Sequence, residues 1–144
     1  MLKLIARLAA LRKTRLTPRQ RTGLWGERKA ESYLAAKGYK ILGRRVRVGP
    51  RDEIDLIARF ENTLVFIEVK ARSGEDFGRP FSAVNRPKRS RISRAAIRYL
   101  KRLKSQPGSF RFDVVEIIGN ESTQNPAIRH IEQAFPLPGY FRVP

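Results

Sequence analysis

Asp55, Glu68 and Lys70 are the residues of this chain whose types and spacing could do chemistry. Glu68-Val69-Lys70 closes the apolar run Val65-Phe66-Ile67, and Asp55 lies in a second apolar run, Ile54 to Ala58. Two carboxylates side by side repel each other unless a cation sits between them. A hard divalent ion meets that need: Mg²⁺, or Mn²⁺ in its place, takes a few carboxylates with waters and phosphate oxygens. The main-chain carbonyl of Val69 offers one more oxygen. A lysine beside such an ion could orient or deprotonate an attacking water, or stabilise a pentavalent phosphate. The chemistry is phosphodiester hydrolysis. A Glu-x-Lys triplet alone is a weak signal, because Glu and Lys alternate on many solvated strands. An acid at matching register on a partner strand sharpens it.

That register depends on a hairpin. Glu53–Phe60 and Thr63–Arg72 read as strands joined by Glu61-Asn62. With Phe60 and Thr63 as the closing pair, Asp55 falls opposite Glu68 and Glu53 opposite Lys70, all on one face, while Val65, Ile67 and Val69 form an apolar row on the other. A slip of one residue would undo the pairing. Upstream, Thr22 to Lys37 reads as a helix with Thr22 as N-cap and Gly38 just past its end. Ala30 and Leu34 mark its inward face, and Glu27 shares it, a carboxylate where an apolar residue is expected. Tyr39–Val48 is a first strand, and Gly49-Pro50-Arg51 a turn. Gly74 to Arg79 reads as a loop. A helix from Asn85 or Arg86 to about Lys104 has Pro87 in its first turn and Ile92, Ala96, Tyr99, Leu100 and Leu103 as its buried stripe. Phe110–Ile118 and Ala127–Phe135 complete the strands, and the tail from Pro136 is irregular. Helices on both sides of a sheet would bury these apolar rows, an α/β architecture.

Composition sets the partner class. Lys and Arg number 31 against 13 Asp and Glu in 144 residues, a formal charge of +18. Such self-repulsion makes sense for a protein whose partner is a polyanion, nucleic acid before an anionic membrane surface. The second helix carries Lys88, Arg89, Arg91, Arg94 and Arg98 with no acid, a stripe expected to face phosphates. Seven of the 13 acids fall within residues 52–76, as if held for a cation. Residues 1–21 are acid-free and Arg-rich and read as a basic arm; an amphipathic helix or an organellar transit peptide are the alternatives. No apolar stretch is long enough for a membrane span, so no integral membrane association is expected. The lack of Cys excludes disulfide scaffolds, thiolate zinc sites and cysteine nucleophiles, and fits a cytoplasmic location.

The motifs Gly26-Glu27…Ala30…Leu34…Gly38-Tyr39, Glu53-Ile54-Asp55-Leu56-Ile57 and Val65-Phe66-Ile67-Glu68-Val69-Lys70-Ala71-Arg72, followed by Ala83-Val84-Asn85 and Arg111-Phe112-Asp113-Val114-Val115, resemble the YraN family of small bacterial proteins. These are regarded as predicted endonucleases distantly similar to Holliday-junction resolvases, and the resemblance runs from about Gly23 to Phe135. It implies a restriction-endonuclease-like fold of three α/β/α layers around a mixed sheet, with the PD-(D/E)xK pattern. Domain bounds follow: a basic arm at 1–21, a nuclease-like domain at 22–135 and a tail at 136–144. The resemblance also implies Asp55 and Glu68 as the acids, Lys70 as the lysine, Glu27 as an added helix-borne acid and Glu53 as ligand to a second ion. The chain lacks the literal Pro-Asp before the first acid, and Asp52 stands where the family usually has Gly. The resemblance further implies an Mg²⁺-dependent endonuclease acting on DNA rather than RNA, with branched DNA a candidate substrate and a homodimer the analogous state. The competing reading is a non-catalytic nucleic-acid-binding protein in which the acids and Lys70 form a cross-strand ion ladder, worth under about 1 kcal/mol per exposed pair. Glu27 would then serve the helix dipole.

Overall fold

The computed structural model describes residues 15–72 and 84–144. Helix α1 (Pro18–Ala36) leads into strands β1 (Lys40–Arg47), β2 (Glu53–Phe60) and β3 (Thr63–Arg72), then helix α2 (Arg86–Arg102) and strands β4 (Ser109–Ile118) and β5 (Ala127–Ile131). The strands form one mixed sheet in the order β1-β2-β3-β4-β5, antiparallel except for the parallel pair β3 and β4. Among the described residues no helix is long and apolar enough to cross a membrane.

Helix α1 starts a turn earlier than the sequence reading placed it. Thr17, not Thr22, is its N-cap: the Gln20 N–H donates to Thr17 Oγ1 at 3.1 Å, and the Thr17 N–H donates to Gln20 Oε1 at 2.9 Å. This capping box satisfies two otherwise orphaned donors, and Pro18 suits the first helical position. The boundary at residue 21 is therefore cut through a helix; residues 1–14 of the expected arm, like the expected loop at 74–79, lie outside the described residues.

Each helix covers one face of the sheet. Ala30 and Leu34 of α1 pack on Leu56, Ala58, Val65, Ile67, Val115 and Ile117. Ile92, Ala95, Ala96 and Leu100 of α2 pack on Ile57, Leu64, Phe66, Phe112 and Val114. Alternation along β3 explains the split, since odd positions face α1 and even positions α2. Gly26 lets α1 sit close to β3, because a Cβ there would lie 2.9 Å from that of Ala71. Strand β5 ends at Ile131, short of the expected Phe135, which instead turns back to stack on Phe112 at 4.8 Å between ring centroids.

The turn after β1 is pinned to α2. Buried Asp52 accepts from Arg94 Nε and Nη2, both at 2.8 Å, and from Arg98 Nη1 at 3.5 Å. Gly49 turns the chain at φ +85°, and a Cβ there would lie 2.0 Å from Arg98 Nη1. The hydrogen bond from Arg94, partly opposed by burial, holds the Asp52 carboxyl below its usual range. A depressed folded pKa contributes stability above the unfolded pKa that is lost as pH falls through the folded one. Asp52→Asn should therefore destabilise the fold by roughly 1–2 kcal/mol at neutral pH, after allowing for the half-exposed arginines. Urea unfolding should find that difference gone once the wild-type carboxyl is protonated.

Candidate active site

The β2–β3 hairpin closes at Phe60–Thr63 and its ladder runs to Leu56–Ile67, the register the sequence reading expected. Beyond that pair the strands are joined through a side chain: Asp55 Oδ2 accepts the Val69 N–H at 2.9 Å. In a strand the N–H and C=O of one residue point to the same side, so the Val69 carbonyl also faces the opened end of the hairpin. Glu68 faces the same cavity as Asp55, close enough for its charge to act on the Asp55 carboxyl. Both line a cavity of about 250 Å³ shared with Arg51, Asp52, Glu53, Lys88, Arg91 and Ile92.

Glu68 is buried, and two ammonium groups approach its Oε1: Lys88 Nζ at 2.5 Å and Lys70 Nζ at 3.8 Å. Burial, then the charge of Glu68, push the Asp55 carboxyl up to about 8; the Val69 N–H opposes them, and Glu27 adds a smaller upward push. Burial and the neighbouring Lys88 pull Lys70 down to about 8. Lys88 itself rises: burial works against its charge, but its pairing with Glu68 and the nearby charge of Asp55 help to outweigh that. Asp55 thus holds its proton more firmly, and Lys70 less firmly, than solvated groups would. That is the signature of opposing charges packed out of water.

The remaining expected acids have cationic partners of their own. Glu27 takes Arg45 in a forked pair, Nε to Oε2 at 2.8 Å and Nη2 to Oε1 at 3.3 Å. Arg45 lies opposite Asp55 in the β1–β2 register and adopts a left-handed φ of 45°, uncommon outside Gly. Glu53 pairs with Arg47 across β1 at 3.6 Å, not with Lys70 as the hairpin register suggested. Among the described residues no group of three or more His, Asp or Glu side chains forms a cation cage. The structure brings together Asp55, Glu68, Val69 and Lys70, with Glu27 one cation away. Two carboxylates, a carbonyl and open water suit a divalent ion that keeps much of its hydration shell, so the donor set fits Mg²⁺ or Mn²⁺.

The α2 stripe divides by partner. Arg94 and Arg98 are held by Asp52, while Arg89 donates to the Val84 carbonyl at 2.8 Å and lies over the Phe135 ring. Lys88 is engaged by Glu68. Arg91 stays exposed at the cavity, joined there by Arg51, which the sequence reading assigned to a turn. Their shared cavity brings together positions 40 residues apart, so neither helix periodicity nor charge runs could have paired them. On the opposite face, Asp113 accepts from Arg111, the Gln133 N–H and His130 Nε2, the last at 2.8 Å, a buried structural cluster.

The uncharacterised protein family UPF0102 matches residues 26–117. Similar chains include a UPF0102 protein of Symbiobacterium thermophilum, 48% identical over 98 residues that cover 68% of this chain and 82% of that one. A UPF0102 protein of Clostridium kluyveri is 44% identical over 117 residues, 80% of this chain and 93% of that one. One of Chlorobium phaeobacteroides is 45% identical over 118 residues, 78% and 92% of the two chains.

Proposed function

The chain belongs to the uncharacterised protein family UPF0102, and from the site geometry we propose that it is a divalent-metal-dependent endonuclease of the restriction-endonuclease-like, PD-(D/E)xK type. The observation that carries this reading is the convergence of Asp55 and Glu68 at the opened end of one hairpin, with Lys70 beside them. A divalent ion held by the two carboxylates and the Val69 carbonyl would supply Lewis-acid polarisation of a phosphoryl oxygen. Lys70, with an ammonium loosened to about 8, is placed to take a proton from a water or to meet charge growing on the phosphate. Exposed Arg51 and Arg91 at the cavity supply phosphate contacts, and the net charge of +18 suits a nucleic acid, DNA before RNA.

One observation favours a second reading, a binding protein without catalysis: Glu68 and Glu27 already have cationic partners, Lys88 and Arg45. A cleavage assay over duplex, flap, four-way and single-stranded DNA, with matching RNA, separates the two. With Mg²⁺ or Mn²⁺ the nuclease reading expects nicked product and none in EDTA. Binding alone expects no product under any condition. Both expect affinity to fall about 10³-fold between low and moderate salt as several phosphate contacts are screened.

A further inference from the structure

We propose that Lys88 is the resident cation of the two-carboxylate site, bound to Glu68 when no metal is present and displaced to the mouth of the cavity when a divalent ion enters. This rests on the metal-site reading above and adds a regulatory element to it. Glu68 Oε1 has Lys88 Nζ at 2.5 Å, a full contact, and Lys70 Nζ only at 3.8 Å. A divalent ion held by this carboxylate would set two positive charges beside an ammonium already in contact with the group, and like charges so close repel. The lysine held less firmly yields, and the two are held differently.

Lys70 lies inside β3, in register with Glu116 on the parallel strand β4, and its backbone is fixed in the centre of the sheet. Lys88 stands in the first turn of α2, three residues after the N-cap Asn85, whose side chain accepts the Lys88 N–H at 3.1 Å. A cation in the first turn of a helix is opposed by the helix dipole, and α2 has no acid there to offset it. Glu68 is the carboxylate within ion-pair distance of Lys88 among the described residues. Remove that attraction and helix electrostatics push the ammonium outward. Its exit is the cavity it already lines, where Arg91 is exposed one turn further along α2 and Arg51 stands at the rim. The displaced ammonium joins those guanidiniums as a third phosphate-binding cation. Metal and phosphodiester then favour the same arrangement of Lys88, and linkage requires each to strengthen binding of the other.

The test is calorimetric titration of Mn²⁺ into full-length protein without nucleic acid, at one fixed pH. Lys88→Met removes the competitor, and the Mn²⁺ dissociation constant should fall at least about tenfold, in the usual range of such couplings. Lys88→Arg keeps the charge and can fork onto Glu68, so its Mn²⁺ affinity should drop below that of the wild type. Unchanged or weaker binding by a folded Lys88→Met protein overturns the proposal. Should that variant not fold, Mn²⁺ binding by Lys88→Arg equal to or tighter than wild type overturns it instead. Glu68→Gln in parallel separates the two layers. If Mn²⁺ binding is lost there but indifferent to Lys88, the metal site stands and the exchange falls. If no protein in the series binds Mn²⁺, both fall.

Discussion

Replacing Lys70 by Met should slow metal-dependent DNA cleavage by about 10³-fold or more while leaving duplex affinity within about threefold. The expectation follows from position. Lys70 is half-buried, its ammonium lies 3.8 Å from Glu68, and burial with Lys88 nearby brings its pKa to about 8. A group with that pKa is partly unprotonated near neutrality and can accept a proton from water, the condition under which a side-chain base is effective. The wild-type rate should accordingly rise with pH as Lys70 gives up its proton, and the residual rate of Lys70→Met should lose that rise. Glu68→Gln should cost a comparable factor, and the double variant little more than either single one, because groups acting as one unit fail together. Supercoiled plasmid nicking gives the rates and filter binding the affinities. Wild-type nicking by Lys70→Met would remove Lys70 from the chemistry. A parallel loss of affinity would make it a phosphate contact only.

What could be read from the sequence is what local periodicity controls. The β2 and β3 bounds, the closing pair Phe60–Thr63 and the shared face of Asp55 and Glu68 all follow from a period of two and a two-residue turn. Partners supplied by distant segments did not follow. The cationic face of α2 looked like a phosphate stripe, yet Arg94 and Arg98 are taken by Asp52 more than 40 residues upstream. Asp52 had stood out as a departure from Gly in the resemblance and as one of the acids crowded into residues 52–76; its carboxylate proves to be the staple between the turn after β1 and α2. Glu27 lies on the helix where periodicity put it, but its carboxylate is taken by Arg45, whose left-handed backbone no spacing rule foretells. The start of α1 was different: Thr17-Pro18-Arg19-Gln20 carries a capping box legible in the residues themselves.

Asp55→Asn should make the metal-free protein more stable at pH 8, on the order of 1–3 kcal/mol, and leave it unchanged or weaker near pH 4. Asp55 has an ordinary value of 3.8 and rises to about 8 in the fold, because it is buried and faces Glu68. Between those values the folded protein holds a proton that the unfolded chain has released, so stability declines as pH rises, and the full penalty is present above about 8. Lys70 runs the mirror course. Its drop from 10.5 to about 8 means that the unfolded chain keeps the proton longer, so stability recovers between those two values. The site is therefore most costly near pH 8. An Asn can still accept the Val69 N–H and can donate to Glu68, so the substitution removes charge without breaking the hairpin end. Urea midpoints in EDTA at the two pH values give the comparison. Added Mn²⁺ should then stabilise the wild type and not the variant, since a ligand raises stability only where it binds the folded state. The sign of the effect discriminates between readings. An acid retained for an ion ladder weakens the fold when it is removed, by up to about 1 kcal/mol. An acid retained for a cation that comes and goes strengthens the empty fold when it is removed, because its charge is carried at the expense of stability for the sake of the bound state.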